Sequence, residues 1–388
     1  MSSSSISDDK KSERGNLYNF MKRMLLEDIW ECQKNYKDKF KMAESRLITH
    51  PVDRFLYVIM QSLFMLREFK AEMTRGSRKH NKHIGNPCVV CALYELFAVM
   101  EKPLCTTEGE EVAAALTSFR IVFTAWLPNL NIQLEEHIGN AASKVLQAIF
   151  MALHDSFTYD PAEIDCNYKS DLDNCSKNGC FAHKIFGMHH YKKIKCLKCS
   201  VESRRKKYTS FFLTADASHL RMMKIIHKHH QYSFDSLLRL VMTHELLACD
   251  EHDGGCGVLN PIYHTLNNLP YTLTIVLGWQ ENIVESSKDI SETLSALSNE
   301  LDLGVLFPAV KPGIFAYLLM SMVCFYGVEQ QHYTYFIYCD EMELYIQFDV
   351  QCDVMYLKFI GEWDDVVNVC REMSLQPLVM FFCRKFKL

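Results

Sequence analysis

The chain has 388 residues, 48% of them apolar, and a formal net charge of -5 at pH 7. That much apolar chain can bury a large core, in one large domain or two ordinary ones, and it excludes a wholly disordered protein. The slightly acidic balance, with a single short basic run at Arg204-Arg205-Lys206-Lys207, lacks the basic face that nucleic-acid binding requires and reads as a solvated strand or loop.

Taken in chain order, Met1-Ser-Ser-Ser-Ser-Ile-Ser-Asp-Asp-Lys-Lys and the next few residues are polar and charged. They predict disorder to about residue 15 and carry no secretory signal. From Asn16 to about Ala43, apolar residues at helical spacing (Met21, Met24, Leu25, Ile29, Trp30) predict an amphipathic flanking helix. Phe55 to Leu66 is apolar almost all round, so it predicts a helix buried on most sides. The chain reads mainly helical from there to His154, with core-facing helices at Leu93–Met100 and Ala141–His154.

A cysteine- and glycine-bearing stretch follows, from Cys166 to Cys199. Strand signals then take over at Tyr208–Leu213, Tyr271–Leu277, Tyr317–Phe325, Tyr333–Tyr338, Leu344–Phe348, Val354–Ile360 and Leu378–Phe382. The most apolar segment, Ile314 to Tyr326, is shorter than the roughly 20 residues a spanning helix needs, so it predicts a buried strand and no membrane span. Helices, a cysteine-rich insertion and then a mostly antiparallel sheet make an α+β pattern.

Sixteen cysteines without a signal segment point to a reducing compartment, the cytoplasm or nucleus, and to metal ligation rather than disulfides. Cys196-Leu-Lys-Cys199 and Cys249-Asp-Glu-His-Asp-Gly-Gly-Cys256 predict one tetrahedral zinc site of four thiolates, with Gly254 and Gly255 supplying positive-φ turns. Four ligands leave no open position, so this zinc is structural. A second metal is offered by Cys175, Cys180 and His183, with a fourth ligand from Cys166 or from Cys88 and Cys91, the reading of these as core cysteines standing beside it. His227, His229 and His230 read as solvated surface.

His332-Tyr333 and Phe348-Asp349 fall on two strands joined by Cys339-Asp-Glu-Met-Glu343, a credible hairpin. A histidine and an aspartate on adjacent strands are two parts of a Cys/His/Asp hydrolase, in which the histidine takes the thiol proton and the carboxylate orients it. The thiol of such an enzyme sits at a helix N-terminus, where dipole and imidazole lower its pKa. Just before the Phe55 helix this chain has Arg54, whose guanidinium stays protonated and cannot attack a carbonyl. Arg54 is expected in the same cleft, facing Asp349 or Asp53.

These residues resemble the ubiquitin-specific proteases, papain-like deubiquitinases, from about Arg46 to Phe382. Leu47, Phe55, Gln61 and Leu63 match the family's N-terminal box; Tyr317, Leu319, Gly327, His332-Tyr333 and Phe348-Asp349 match its C-terminal box. Leu269-Pro270 resembles the family's Leu-Pro strand, and Cys196, Cys199, Cys249 and Cys256 fall where it carries its zinc fingers. Cys88 and Cys91, the Cys175, Cys180, His183 triplet and the run Ile360-Gly-Glu-Trp-Asp-Asp-Val366 are similar to a divergent branch found in plants and, as inactive members, in animals.

The resemblance implies a helical thumb (about 46–185), zinc-tied fingers (about 186–262) and an antiparallel palm (about 263–386) behind a flanking segment, 1–45. It also implies ubiquitin or a ubiquitinated protein as partner. It places Arg54 at the nucleophile position, Thr49 at the oxyanion position, and Arg46, Pro51 and Tyr57 at a glycine, a second glycine and an asparagine. The reading that follows is a ubiquitin-binding pseudoenzyme. Two alternatives stand beside it: an active thiol-dependent deubiquitinase whose residues 46–54 are misassigned at an exon boundary, and a zinc-stabilised scaffold without a ubiquitin role.

Overall fold

The computed structural model describes residues 51–75, 82–101, 109–130, 141–158, 175, 180–203, 206–243, 246–280, 285–308, 310, 315–326, 332–351 and 354–385. The predicted disordered start, the flanking helix at 16–43, and Arg46, Leu47, Thr49, Cys166 and Gly327 lie outside these residues.

The first part is helical: α1 (Pro51–Phe64), α2 (Arg67–Thr74), α3 (Val89–Met100), α4 (Gly109–Trp126), α5 (Ala141–Thr158) and α6 (Phe181–Phe186). α1 begins at Pro51, a turn earlier than predicted, because proline suits the first turn of a helix, where its missing N–H is not needed. Arg54 therefore sits in that first turn rather than ahead of the helix. Phe55 to Met60 are all buried, as a helix apolar on every face must be. α1 packs on α4 on one side and on strands of the main sheet on the other. Aromatic side chains tie α2, α3, α5 and α6 together: Phe69 meets Phe97 and Phe186 at 5.5 Å, and Phe150 meets Phe186 at 4.3 Å between ring centres.

The chain then forms β1 (Met188–Lys193), β2 (Lys206–Ser210), β3 (Leu213–Asp216), α7 (Ala217–Ile226), α8 (Phe234–Thr243), β4 (Leu246–Ala248), β5 (Leu259–Pro261) and β6 (Tyr263–Leu266). After these come β7 (Thr272–Gly278), α9 (Ser287–Leu294), β8 (Glu300–Asp302), α10 (Leu303–Leu306), β9 (Ala316–Tyr326), β10 (His332–Cys339), β11 (Leu344–Gln351), β12 (Val354–Gly361), α11 (Trp363–Glu372) and β13 (Gln376–Arg384). The main sheet runs β12-β11-β10-β9-β13-β7-β3, with β8 paired to β9. All its pairings are antiparallel except β3 with β7. A three-stranded sheet, β2-β1-β6, and a two-stranded one, β4-β5, stand apart from it.

The single strand expected at Tyr208–Leu213 is two strands in two sheets. β2 pairs with β1, whereas β3 pairs with β7. The chain turns between them at Phe211, whose ring is buried 5.5 Å from Phe150 and 4.9 Å from His183.

The Ile360–Val366 run has a local cause. Gly361 has φ +128°, which side-chain-bearing residues rarely adopt, and it leads into α11. Glu362 and Asp365 cap that helix reciprocally, and Trp363 leans on Tyr345 with ring centres 6.2 Å apart.

Candidate functional site

The cleft forms where the first turn of α1 meets the start of β10. Phe55 anchors α1 there, with its ring 5.3 Å from that of Tyr333. His332 pairs with Tyr326 of β9, and Thr334 pairs with Asp349 of β11. Side chains two apart on a strand share a face, so His332 and Asp349 are diagonal neighbours on one side of the sheet. The structure thus brings together Arg54, His332 and Asp349, the three residues placed in one cleft from the sequence. Gln61 lies half-buried two turns further along α1.

Tyr326 was not singled out by the sequence, where it reads as the end of an apolar strand. Its ring stacks on His332, centres 5.1 Å apart and planes 23° from parallel. From there its hydroxyl crosses β10 and donates to Asp349 Oδ1 at 3.2 Å, with Oδ2 at 3.4 Å. His332 Nδ1 is buried and has no hydrogen-bond partner among the described residues. In a working triad that nitrogen donates to the carboxylate. Here the buried carboxylate of Asp349 accepts from a tyrosine, and the orienting bond to the imidazole is not made.

Burial and charge together favour the neutral form of His332. Burial lowers its pKa, the Arg54 guanidinium lowers it further, and Asp349 opposes both. Burial pushes the Tyr333 hydroxyl far up, with Arg54 pulling the other way. Arg54 therefore lies within electrostatic reach of both side chains, and a fixed cation stands beside an imidazole whose pKa is lowered.

The predicted metal cysteines converge as well. The Sγ atoms of Cys196, Cys199, Cys249 and Cys256 all lie within 4.8 Å of one another, with Cys196 and Cys256 at 3.5 Å and Cys199 and Cys249 at 3.6 Å. A tetrahedron with metal–sulfur bonds of about 2.3 Å has edges of about 3.8 Å, so these thiolates fit a zinc ion with little adjustment. Ser200 at φ 61° closes the first knuckle, and Gly254 at φ 81° turns the second. Gly255 has another role than the predicted one: its φ is not positive, but a side chain there would meet the Cys249 sulfur at 2.5 Å. Asn260, fully buried, accepts from the Leu197 backbone N–H at 2.9 Å and braces the first knuckle.

Two further groups gather in the helical part. His154, Cys175, Cys180 and His183 form one, and His83, Cys88 and Cys91 the other. The partner expected for the first from Cys166, or from Cys88 and Cys91, is not the one found. Cys166 lies outside the described residues, Cys88 and Cys91 gather with His83, and the fourth residue is His154. His229 and His230 are exposed, and the rings of His227 and His230 pack on Tyr232.

The sequence pattern of ubiquitin carboxyl-terminal hydrolases matches residues 52–353, well over half of the chain. The chain belongs to the ubiquitin carboxyl-terminal hydrolase family. Human ubiquitin carboxyl-terminal hydrolase 53 is 24% identical over 340 residues, which make up 84% of this chain but 29% of that relative. This chain thus spans under a third of the length of the curated relative it matches.

Among solved structures, a SAGA DUB module of Ubp8, Sgf11, Sus1 and Sgf73 bound to monoubiquitin is similar at TM-score 0.55 and 16% identity, over 86% of this chain and 67% of that one. The Saccharomyces cerevisiae PAN2 pseudoubiquitin-hydrolase is similar at TM-score 0.51 and 13% identity, over 87% and 85%. These likenesses establish the ubiquitin-specific protease fold, with its helical thumb, antiparallel palm and fingers.

Proposed function

We propose that this chain is a ubiquitin-binding pseudoenzyme of the ubiquitin carboxyl-terminal hydrolase family. It grips ubiquitin or a ubiquitinated protein in the cytoplasm or nucleus and does not cleave it. The observation that carries this reading is Arg54, in the first turn of α1 beside His332, where a hydrolase of this family needs a thiol. A guanidinium gives His332 no proton to accept and forms no acyl intermediate. The engagement of Asp349 by Tyr326 points the same way, because it leaves the imidazole without its orienting partner.

Retention of ubiquitin is supported by the rest of the fold. In this family the contact area lies mostly away from the thiol, on thumb, palm and fingers, and the finger cysteines keep a full set of zinc donors. The bound zinc would be structural, since four thiolates close its coordination. The similar SAGA module carries monoubiquitin, which supports the same class of partner here.

Two measurements test the reading. Ubiquitin bearing a C-terminal electrophile is expected to give no covalent adduct with the chain, whereas plain ubiquitin binds it measurably. An adduct with the unaltered chain would overturn the pseudoenzyme, and absence of both adduct and binding would leave a zinc-stabilised scaffold. Arg54→Cys alone is expected to stay without an adduct. Thr49 stands at the oxyanion position, where loss of one donor costs about 10²–10³ in rate, and Tyr326 still occupies Asp349.

A further inference from the structure

We propose that His154, Cys175, Cys180 and His183 form a second structural zinc site, separate from that of the fingers, which fastens the end of α5 to the start of α6. The four residues come from three places. His154 lies in the penultimate turn of α5, Cys175 falls between α5 and α6, Cys180 directly precedes α6, and His183 is in its first turn. The helix start sets the spacing of the last two, since residues three apart on a helix face the same way. His154, Cys180 and His183 are buried and Cys175 is half-buried.

Their ligand atoms are placed as a tetrahedral zinc ion requires. His154 Nδ1 and His183 Nδ1 are 3.2 Å apart, and Cys180 Sγ lies 3.5 Å from the first and 3.2 Å from the second. Cys175 Sγ is within 4.8 Å of all three. Bonds of about 2.0–2.1 Å to nitrogen and 2.3 Å to sulfur give tetrahedral edges of about 3.3–3.8 Å. The three separations among His154, Cys180 and His183 are at or just under that range.

Hydrogen bonding alone accounts poorly for the group. Each of these atoms carries at most one hydrogen, and one hydrogen cannot point at two neighbours of a triangle at once. Two imidazole nitrogens face each other at 3.2 Å in a buried place, where lone pairs aimed at a common centre are costly unless a cation fills it. Two thiolates and two neutral imidazoles suit zinc and leave no open position, so the site is structural.

The surroundings are built around this arrangement. The His183 ring packs edge-on against Phe211 at 4.9 Å, and stacks near His189 at 5.9 Å, on β1. Phe157, one turn past His154, meets Phe181 of α6 at 5.0 Å. Gly187 follows α6, where a side chain would collide with the His183 backbone at 2.5 Å. A metal here fixes α6, and through it the entry into β1, against the thumb. The site is independent of whether the cleft is active.

The test uses the full chain, purified, dialysed and assayed for bound zinc by elemental analysis. His154→Ala is expected to bind one zinc equivalent fewer than wild type, and His154→Cys, which supplies another zinc ligand, to retain it. Cys199→Ala in the fingers also loses one, and the double variant with His154→Ala loses two. Unchanged zinc in His154→Ala, or a double variant that loses no more than Cys199→Ala, overturns the proposal. Should His154→Ala fail to fold, two measurements remain. A wild-type content of only one equivalent overturns it. In cobalt-substituted His154→Cys, sulfur-to-cobalt absorption is expected to rise by the contribution of one thiolate, and no rise overturns it.

Discussion

In the fingers, Cys196, Cys199, Cys249 and Cys256 present a complete donor set, while at the cleft Arg54 shares its space with His332 and an Asp349 held by Tyr326. The contrast separates two kinds of site. Metal ligands of a structural site contribute to folding directly, so the loss of one is felt by the whole region. A side chain at the mouth of the site is not part of the core, and Arg54 stands in the first turn of α1 without disturbing the core behind it. Phe55 to Met60 remain buried, and Phe55 still packs on Tyr333. The fold is therefore no guide to the chemistry at its cleft.

The largest effect is expected where the comparison is most one-sided. Cys249→Ala should release the finger zinc, and zinc sites of this kind supply on the order of 10 kcal/mol of binding free energy in small finger peptides. β4 and β5 pair only three residues each, so they should lose their amide protection against hydrogen exchange while β9 and β13 keep theirs. Chelation of the wild type should remove the protection of β4 and β5 in the same way. Protection of β4 and β5 that survives both treatments would break the claim that the metal holds this region.

His190, on the strand β1 that leads towards the fingers, predicts a smaller, pH-dependent effect. Burial, with the charges of His264, Lys192 and His189, pushes its pKa down to about 3. Its Nε2 meets Ser210 Oγ at 2.9 Å, and its ring stacks 4.7 Å from Tyr208. The folded state keeps the imidazole neutral, whereas the unfolded chain binds a proton below about pH 6.5. Stability from this group is therefore complete above about pH 6.5 and is lost as pH falls towards 3. Between pH 7 and pH 5 the loss amounts to about 2 kcal/mol. Urea denaturation of wild type and His190→Phe at both pH values should show the wild type losing more by that amount. Equal losses would reject the assignment.

At the cleft, Tyr326→Phe is expected to cost about 1.5 kcal/mol, the low end for a bond to a charged acceptor, since 3.2 and 3.4 Å are long for a hydroxyl donor. It should also let Asp349 shift towards His332, raising the imidazole pKa measurably by NMR. An unmoved titration would mean that Tyr326 does not hold the carboxylate away.

The sequence revealed these places unequally, for physical reasons. The hairpin carrying His332 and Asp349 was legible because aromatic and β-branched runs flank a short polar turn at Asp340 to Glu343. The finger cysteines were legible because their ligands come as pairs close in sequence. His154 was not: it is a lone histidine on an apolar helix, and its partners start at Cys175, beyond any local spacing rule. Tyr326 was hidden likewise, because its role depends on the register that sets it opposite His332. The turn at Phe211 was missed because aromatic residues run through it, and only pairing shows that β2 and β3 belong to different sheets.

The smallest effect tests the cation itself. Arg54 stands in the first turn of α1, where the helix dipole disfavours positive charge by about 0.3–1 kcal/mol at an accessible site. Arg54→Met keeps the stem that packs in the cleft and removes the charge. The variant should be more stable by that small amount, and the gain should shrink in high salt. Because Arg54 lowers the His332 pKa while Asp349 raises it, removal of the guanidinium should also shift the His332 titration upward. The two readings discriminate. A gain in stability with no change at His332 would place the cation's influence on the helix alone, whereas a shifted His332 without a stability gain would mean that the protein around Arg54 compensates its charge. The two measurements together decide whether the Arg54 cation acts on His332 or merely occupies the space in front of it.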